Sequence, residues 1–241
     1  MAKIPFLPHD IFIPLMQYKL QAFGIDLVSL MLYGSAAGGA YVKGKSDINV
    51  LVVLTPAGMN RLDQALPLVG NWRKRNVAVP LVMTRVFMES SLDSYPIEFL
   101  NMKNNSILIY GENLLETLIF KPKDLRLQIE RELKSKILLL REGYLESEGQ
   151  ARPIRHLIGK SLTAFVAIFN ALLYLKTGVA PHDKRATIGE MSKVFGLNAD
   201  VFASCFSIKE GTDKLSSAEV IAVFKKYLSE AEQVCHRVDG L

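Results

Sequence analysis

The chain is poor in the residues from which metal clusters and disulfide frameworks are built. It has two cysteines, Cys205 and Cys235, and four histidines in 241 residues. No cysteine or histidine spacing matches a zinc site, and two distant cysteines make no secreted scaffold. His9, His156, His182 and His236 are scattered, and although His236 follows Cys235 none forms a metal cluster with the two cysteines. There is one tryptophan, Trp72, and aromatic residues make up 9%. Basic residues and aromatics are not interleaved, which disfavours a nucleic-acid surface. The longest apolar stretch, Leu162 to Leu175, contains Asn170 and is too short to cross a bilayer, so it reads as a buried helix with no membrane partner. The opening MAKIPFLPHD has no basic segment followed by an apolar one. These absences together lead to the expectation of a cytoplasmic protein.

What is present is an ordinary globular composition: 49% hydrophobic, 22% charged, with a net charge of +5. That length and composition suffice to bury a core without staples. A mildly basic chain favours acidic ligands such as nucleotides.

Two textures divide the chain, with a junction at Lys121-Pro122-Lys123-Asp124. Residues 1–120 alternate short β-type runs with helical stretches. A helix is expected from Pro8 to Phe23, stopping at Gly24. Strands are expected at Asp26–Tyr33, Asp47–Leu54 and Val77–Thr84, where Pro80 points to an edge. The unbroken apolar run of the second suggests a strand covered on both faces. Thr55 and Pro56 open a helix running toward Arg75, and a short helix spans Arg85–Leu92. Pro96–Met102 and Ser106–Tyr110 read as a hairpin or two short strands. Residues 121–241 carry helical periodicity throughout, with helices at Asp124–Glu146, Arg152–Lys176, Thr187–Phe195, Asn198–Phe206 and Ser216–Arg237. The expected fold is an α+β domain with a mixed sheet, followed by an all-α helical bundle.

The segment Leu32–Leu54 carries the chemistry. A strand ends in Gly34-Ser35, and Ala36, Ala37, Gly38, Gly39 and Ala40 follow. Small residues let a ligand approach the backbone, and their exposed N–H groups and the Ser35 hydroxyl can receive phosphate oxygens. A loop with Lys43 and Lys45 leads to Ser46-Asp47-Ile48-Asn49. Strand alternation sets Asp47 and Asn49 on one face, with Ile48 and Val50 on the other. Two oxygen-bearing side chains beside a phosphate-accepting turn suit a magnesium–triphosphate site.

This segment resembles the signature of the polymerase-β-like nucleotidyltransferase superfamily: Gly, Gly or Ser, a short spacer, then acid, apolar, acid. Gly34, Ser35 and Asp47 match, with an eleven-residue spacer from Ala36 to Ser46. The helical second half is similar in architecture to the companion domains of the kanamycin and minimal nucleotidyltransferase groups. The resemblance implies Mg²⁺-dependent transfer of a nucleoside monophosphate from a nucleoside triphosphate to an acceptor hydroxyl. It implies Gly34, Ser35, Lys45 and Ser46 at the nucleotide, and Asp47 and Asn49 at the metal. The second half would supply part of the acceptor pocket or a dimer surface, making a homo-oligomer.

The departures are specific. The pattern's second acid falls on Asn49, and the Val77–Thr84 strand, where the third would lie, has no carboxylate. Glu98 is the nearest replacement, as metal ligand or general base, if PIEFL is an adjacent strand. The alternative is a degenerate module of the same fold that binds nucleotide, protein or RNA without chemistry. Each residue also has a plain structural role available: Ser35 as a turn residue, Asp47 as the cap of a strand, Asn49 as a buried hydrogen-bonding group.

Overall fold

The structure, a computed structural model, describes residues 4–39, 41–44 and 46–240. Lys45 and Ala40 lie outside the described residues. The chain divides into two compact units, Met1–Phe120 and Lys121–Leu241.

The first unit is built on a mixed sheet of β1 (Leu27–Tyr33), β2 (Asn49–Leu54), β3 (Leu81–Thr84) and β4 (Ser106–Gly111). Their order is β3-β2-β1-β4. β1 is antiparallel to both neighbours, and β2 is parallel to β3. The two central strands are the apolar ones. From Val50 to Leu54, β2 is at most 1% exposed at every position, so it is covered on both faces as its continuous run required. Its even-numbered residues and Leu30 and Leu32 of β1 share a cluster with Ile11, Leu15, Phe23 and Trp72. Ile11 sits in a 3₁₀ turn, Pro8–Ile11, that leads into α1 (Phe12–Phe23). Gly24, at φ +54, ends α1 in a conformation that other residues avoid. Met31, Leu51 and Val53 are equally buried on the opposite side of the sheet.

Two expectations fail here. The helix from Pro56 to Arg75 is three pieces: α2 (Pro56–Met59), a 3₁₀ turn Leu62–Ala65, and α3 (Leu66–Arg73). Pro67 is the reason for the second break, between the 3₁₀ turn and α3. It has no N–H to continue a helix, but it fits the first turn of a new one. Arg61, at the break, pairs with Asp26 and donates to the Phe23 carbonyl oxygen. Thr55 caps α2 as expected, accepting from the Gly58 N–H at 3.1 Å.

The second failure is Pro96–Met102, expected as a strand. It is α5 (Pro96–Asn104), which follows α4 (Arg85–Ser90). Pro96 occupies the first turn, and Ile97, Phe99, Leu100 and Met102 are buried. A short apolar run satisfies both periodicities, and here packing selects the helix. β3 begins at Leu81, immediately after Pro80, and is an edge strand; Val77 pairs alone with Ile48.

The second unit contains α6 (Pro122–Glu146), α7 (Ala151–Thr177), α8 (Lys184–Phe195), α9 (Ala199–Glu210) and α10 (Ser217–Asp239). α7 is its centre and packs against the other helices of the unit. Ile154, Ile158, Leu162, Phe165, Phe169 and Leu172 of α7 are fully buried. Phe165, Phe169, Phe202 and Tyr227 form a ring cluster, with centroids 5.5–5.9 Å apart. Asp183, Asn198 and Ser216 cap α8, α9 and α10. Ser216 and Glu219 form a reciprocal capping box. α7 matches the expected Arg152–Lys176 to within one residue at each end. By length and composition it is able to cross a membrane, and 56% of its most apolar window is buried inside the protein.

Candidate functional site

The site residues of the first unit gather where β1 ends and β2 begins. Leu32 pairs with Val50 and Tyr33 with Asn49. The pairing ends there, so Ser35 and Asp47 both lie just beyond the last paired residues, at the same end of the two strands. At Gly34 the backbone turns, with φ +78, into a 3₁₀ turn over Gly34–Ala36. An L side chain at that φ is strained, so glycine is demanded there by conformation. Space adds a lesser constraint: a Cβ at 34 would meet the Asn49 amide nitrogen at 3.3 Å, and that side chain would have to give slightly.

Three of the six amides from Gly34 to Gly39 are used within the protein. The Gly34 N–H donates to the Asn105 carbonyl oxygen at 2.9 Å. The Ala37 and Gly38 N–H groups both donate to the Gly34 carbonyl oxygen at 3.0 Å. This narrows the expected set of exposed N–H groups to the rest of the turn. The Ser35 hydroxyl, half-buried, has no hydrogen-bond partner among the described residues.

The loop that follows is closed on itself. Ser46 donates its N–H to the Val42 carbonyl oxygen at 2.8 Å, and its hydroxyl accepts from the Val42 N–H at 3.0 Å. Ser46 therefore shapes the loop with both groups. The expectation for Lys45 falls outside the described residues. The Lys43 ammonium lies 5.3 Å from the centre of the Phe6 ring.

Asp47 precedes β2 rather than belonging to it. Ile48 is pinned on both sides, donating to the Asn76 carbonyl oxygen and accepting from the Ala78 N–H. Ile48 and Val50 point into the core, at 0% and 1% exposure, which leaves Asp47 and Asn49 on the other face. Asp47 is exposed, Asn49 is half-buried, and neither side chain has a hydrogen-bond or ion-pair partner among the described residues. Tyr33, directly across from Asn49, is half-buried, and burial pushes its hydroxyl pKa upward.

Glu98 is not on a strand. It is exposed in the first turn of α5. The far end of that helix abuts the turn through Asn105, so Glu98 is about 9 Å along the axis from it. The basis for giving Glu98 the third-acid role is thereby removed. β3 reads Leu81, Val82, Met83, Thr84 and supplies no carboxylate. Among the described residues no group of three or more His, Cys, Asp or Glu side chains is placed to hold a metal ion. The donors at the turn are thus one carboxylate and one carboxamide. That set fits a single Mg²⁺ that brings its own phosphate and water ligands, and does not fit a protein-held pair.

Asn105 was missed by sequence reasoning. It joins α5 to β4, and its Oδ1 lies 2.6 Å from where a Cβ on Gly38 would stand. Nothing in Lys103-Asn104-Asn105 distinguishes it from any polar loop, so only the pairing of β4 with β1 reveals it.

Other features lie elsewhere. Trp72 is a core residue, with the Arg75 guanidinium 5.3 Å from its ring centre. An open surface concavity of about 360 Å³ lies between Ile4, Phe6, Asp10, Lys43 and Arg75, and none of Gly34, Ser35, Asp47 and Asn49 lines it. Asp26, a partly buried carboxylate, is at the opposite end of the β1–β2 pair and is bonded to Arg61 and Thr55, so its role is structural.

No protein-family model matches the sequence, and no curated protein matches it. Among solved structures, the chain is similar to the spectinomycin adenyltransferase AAD(9) from Enterococcus faecialis, determined with ATP and spectinomycin. Identity is 13%, the alignment covers 92% of this chain and 98% of that one, and the TM-score is 0.49. A likeness of this degree concerns the chain trace and not the residues of a site.

Proposed function

We propose that the first unit is a nucleotidyltransferase-like module that binds a nucleoside triphosphate at the Gly34–Ser35 turn, with its transfer chemistry weakened by Asn49. The observation that carries this reading is the register of β1 and β2. It sets Asn49 directly against Tyr33 and leaves the Ser35 hydroxyl and Asp47 carboxylate, which have no partner among the described residues, at the same end of the sheet. Gly34 admits a phosphate close to the backbone, and the Ser35 hydroxyl donates to it. Asp47 is the carboxylate left to meet a cation travelling with the phosphates. Mg²⁺, when bound there, supplies charge neutralisation of the phosphates during attack by an acceptor hydroxyl. Asn49 contributes a neutral oxygen in place of an anionic one, so the cation is held less tightly.

The test is calorimetry with ATP, GTP, CTP and UTP, each paired with a pyrophosphate-release assay in Mg²⁺. Binding of at least one triphosphate, with slow Mg²⁺-dependent release of pyrophosphate, is the expected result. Absence of binding by all four would sink the assignment.

The second reading is a binding module without chemistry. The third strand without an acid, and the placement of Glu98 on α5, favour it. Tight triphosphate binding with no pyrophosphate released under any condition distinguishes it from the first. The acceptor in the first reading, and the use of the helical unit as part of its pocket or as a dimer surface, belong to the proposal as well.

A further inference from the structure

Two carboxamides flank the Gly34 turn, one on each side of β1. Tyr33 pairs with Asn49 of β2 and also with Ser106 of β4, next to Asn105. The Asn49 amide nitrogen reaches Gly34, and the Asn105 Oδ1 reaches Gly38, so both carboxamides touch the same short turn. Neither side chain has a hydrogen-bond partner among the described residues, and both are half-buried. With strands about 4.8 Å apart, the two backbone positions are separated by about 10 Å across β1. A chain of two or three phosphoryl groups bridges that span.

A carboxamide offers two N–H donors and carries no charge. A carboxylate in the same place repels a phosphate until a cation intervenes. Neither amide is held by a protein partner among the described residues, so a phosphate has only water to displace from them. We infer that Asn49, Asn105 and the Ser35 hydroxyl bind the phosphate chain of a nucleotide directly, so that binding does not depend on a divalent cation. The inference rests on the nucleotide reading of this site and separates binding from chemistry: any transfer still draws on Mg²⁺, whereas affinity does not. The remaining carboxylate, Asp47, is exposed, so water reduces its repulsion of a phosphate, although at this range salt does not remove it.

The experiment is equilibrium dialysis of ATP against the full chain, in excess EDTA and in excess MgCl₂, with inorganic triphosphate as competitor. The dissociation constants in the two buffers should agree within about threefold, and triphosphate should displace ATP. Asn105→Asp should weaken binding about tenfold in EDTA, with Mg²⁺ restoring it, because a phosphate oxygen then faces a carboxylate. Asn105→Leu should weaken binding equally in both buffers. Rescue by metal is a readout that mere loss of structure does not produce, and Asn49→Asp gives the same readout from the other side of the turn. ATP binding by the unaltered protein only in Mg²⁺ would overturn the inference and leave the nucleotide reading standing. Binding in neither buffer would remove both. Metal-independent binding that Asn105→Asp leaves unchanged in EDTA would overturn the place given to Asn105.

Discussion

The Asn49 amide nitrogen stands 3.3 Å from the position a Cβ on Gly34 would occupy, and Gly34 has φ +78. One residue thus meets two constraints, a backbone that only glycine adopts easily and a neighbour that leaves little room. Gly34→Ala should destabilise the protein by about 1–2 kcal/mol through the left-handed backbone alone. Urea denaturation measures this, and nucleotide binding should weaken in the same variant because the turn shifts. An unchanged unfolding midpoint would contradict the geometry.

Asn49→Asp adds a second carboxylate to the face that Asp47 already occupies, since Ile48 and Val50 hold the opposite face in the core. Mg²⁺ affinity should rise by roughly tenfold, and pyrophosphate release should rise with it. Metal titration by calorimetry checks the first, and a coupled assay the second. No change in metal affinity would mean that the two side chains do not converge.

In the helical unit, Arg155 is bonded to Asp213 and donates to the Leu215 carbonyl oxygen at 2.6 Å. It ties the segment between α9 and α10 to α7. The Asp213 carboxyl is held below its ordinary value of 3.8, chiefly by the hydrogen bond from Arg155. A lowered carboxyl stabilises the fold above its unfolded value, and that stabilisation fades as pH falls through the folded one. Arg155→Ala should therefore cost about 2 kcal/mol at neutral pH and less in strong acid. Urea midpoints at both pH values test this, and a deficit that grows on acidification would refute it.

Cys205 on α9 is fully buried, and burial pushes its thiol up from 9.0 to about 12. Tyr227, equally buried beside Ser161, is pushed upward too, and for the same reason. In both cases the folded state holds the proton more tightly than the unfolded one. Stability is complete below the unfolded values and falls as pH rises above about 9. Thermal melting between neutral and strongly alkaline pH should show this decline. Cys205→Ala should flatten its onset, and the native thiol should resist alkylation until the protein unfolds.

Legibility differed sharply between elements. β1 and β2 stood out because several consecutive β-branched or apolar residues leave few alternatives to a strand buried on both faces. The capped helices of the second unit did too: Asp183, Asn198 and Ser216 act locally, through hydrogen bonds to amides two or three residues away. Pro96–Met102 misled because a short apolar run fits both periods, and burial of Ile97, Phe99 and Leu100 decided between them. Pro67 was a visible signal that the Pro56–Arg75 reading overlooked.

The candidate site was only partly legible. Gly34, Ser35, Asp47 and Asn49 form a recognisable spacing within one strand–turn–strand segment, so their approach follows from local chain geometry. Asn105 has no such mark, and the place of Glu98 was inferred from a strand that does not exist.

What the amino-acid order determined alone is therefore what acts over short distances: strand alternation, helix caps, and the glycine that turns the chain after β1. The pairing of β4 against β1, which carries Asn105 to the turn and leaves Glu98 on a helix, belongs to the tertiary structure. The physical reason is that this pairing joins residues more than seventy positions apart, and no local preference encodes which edge of a sheet a late strand will join.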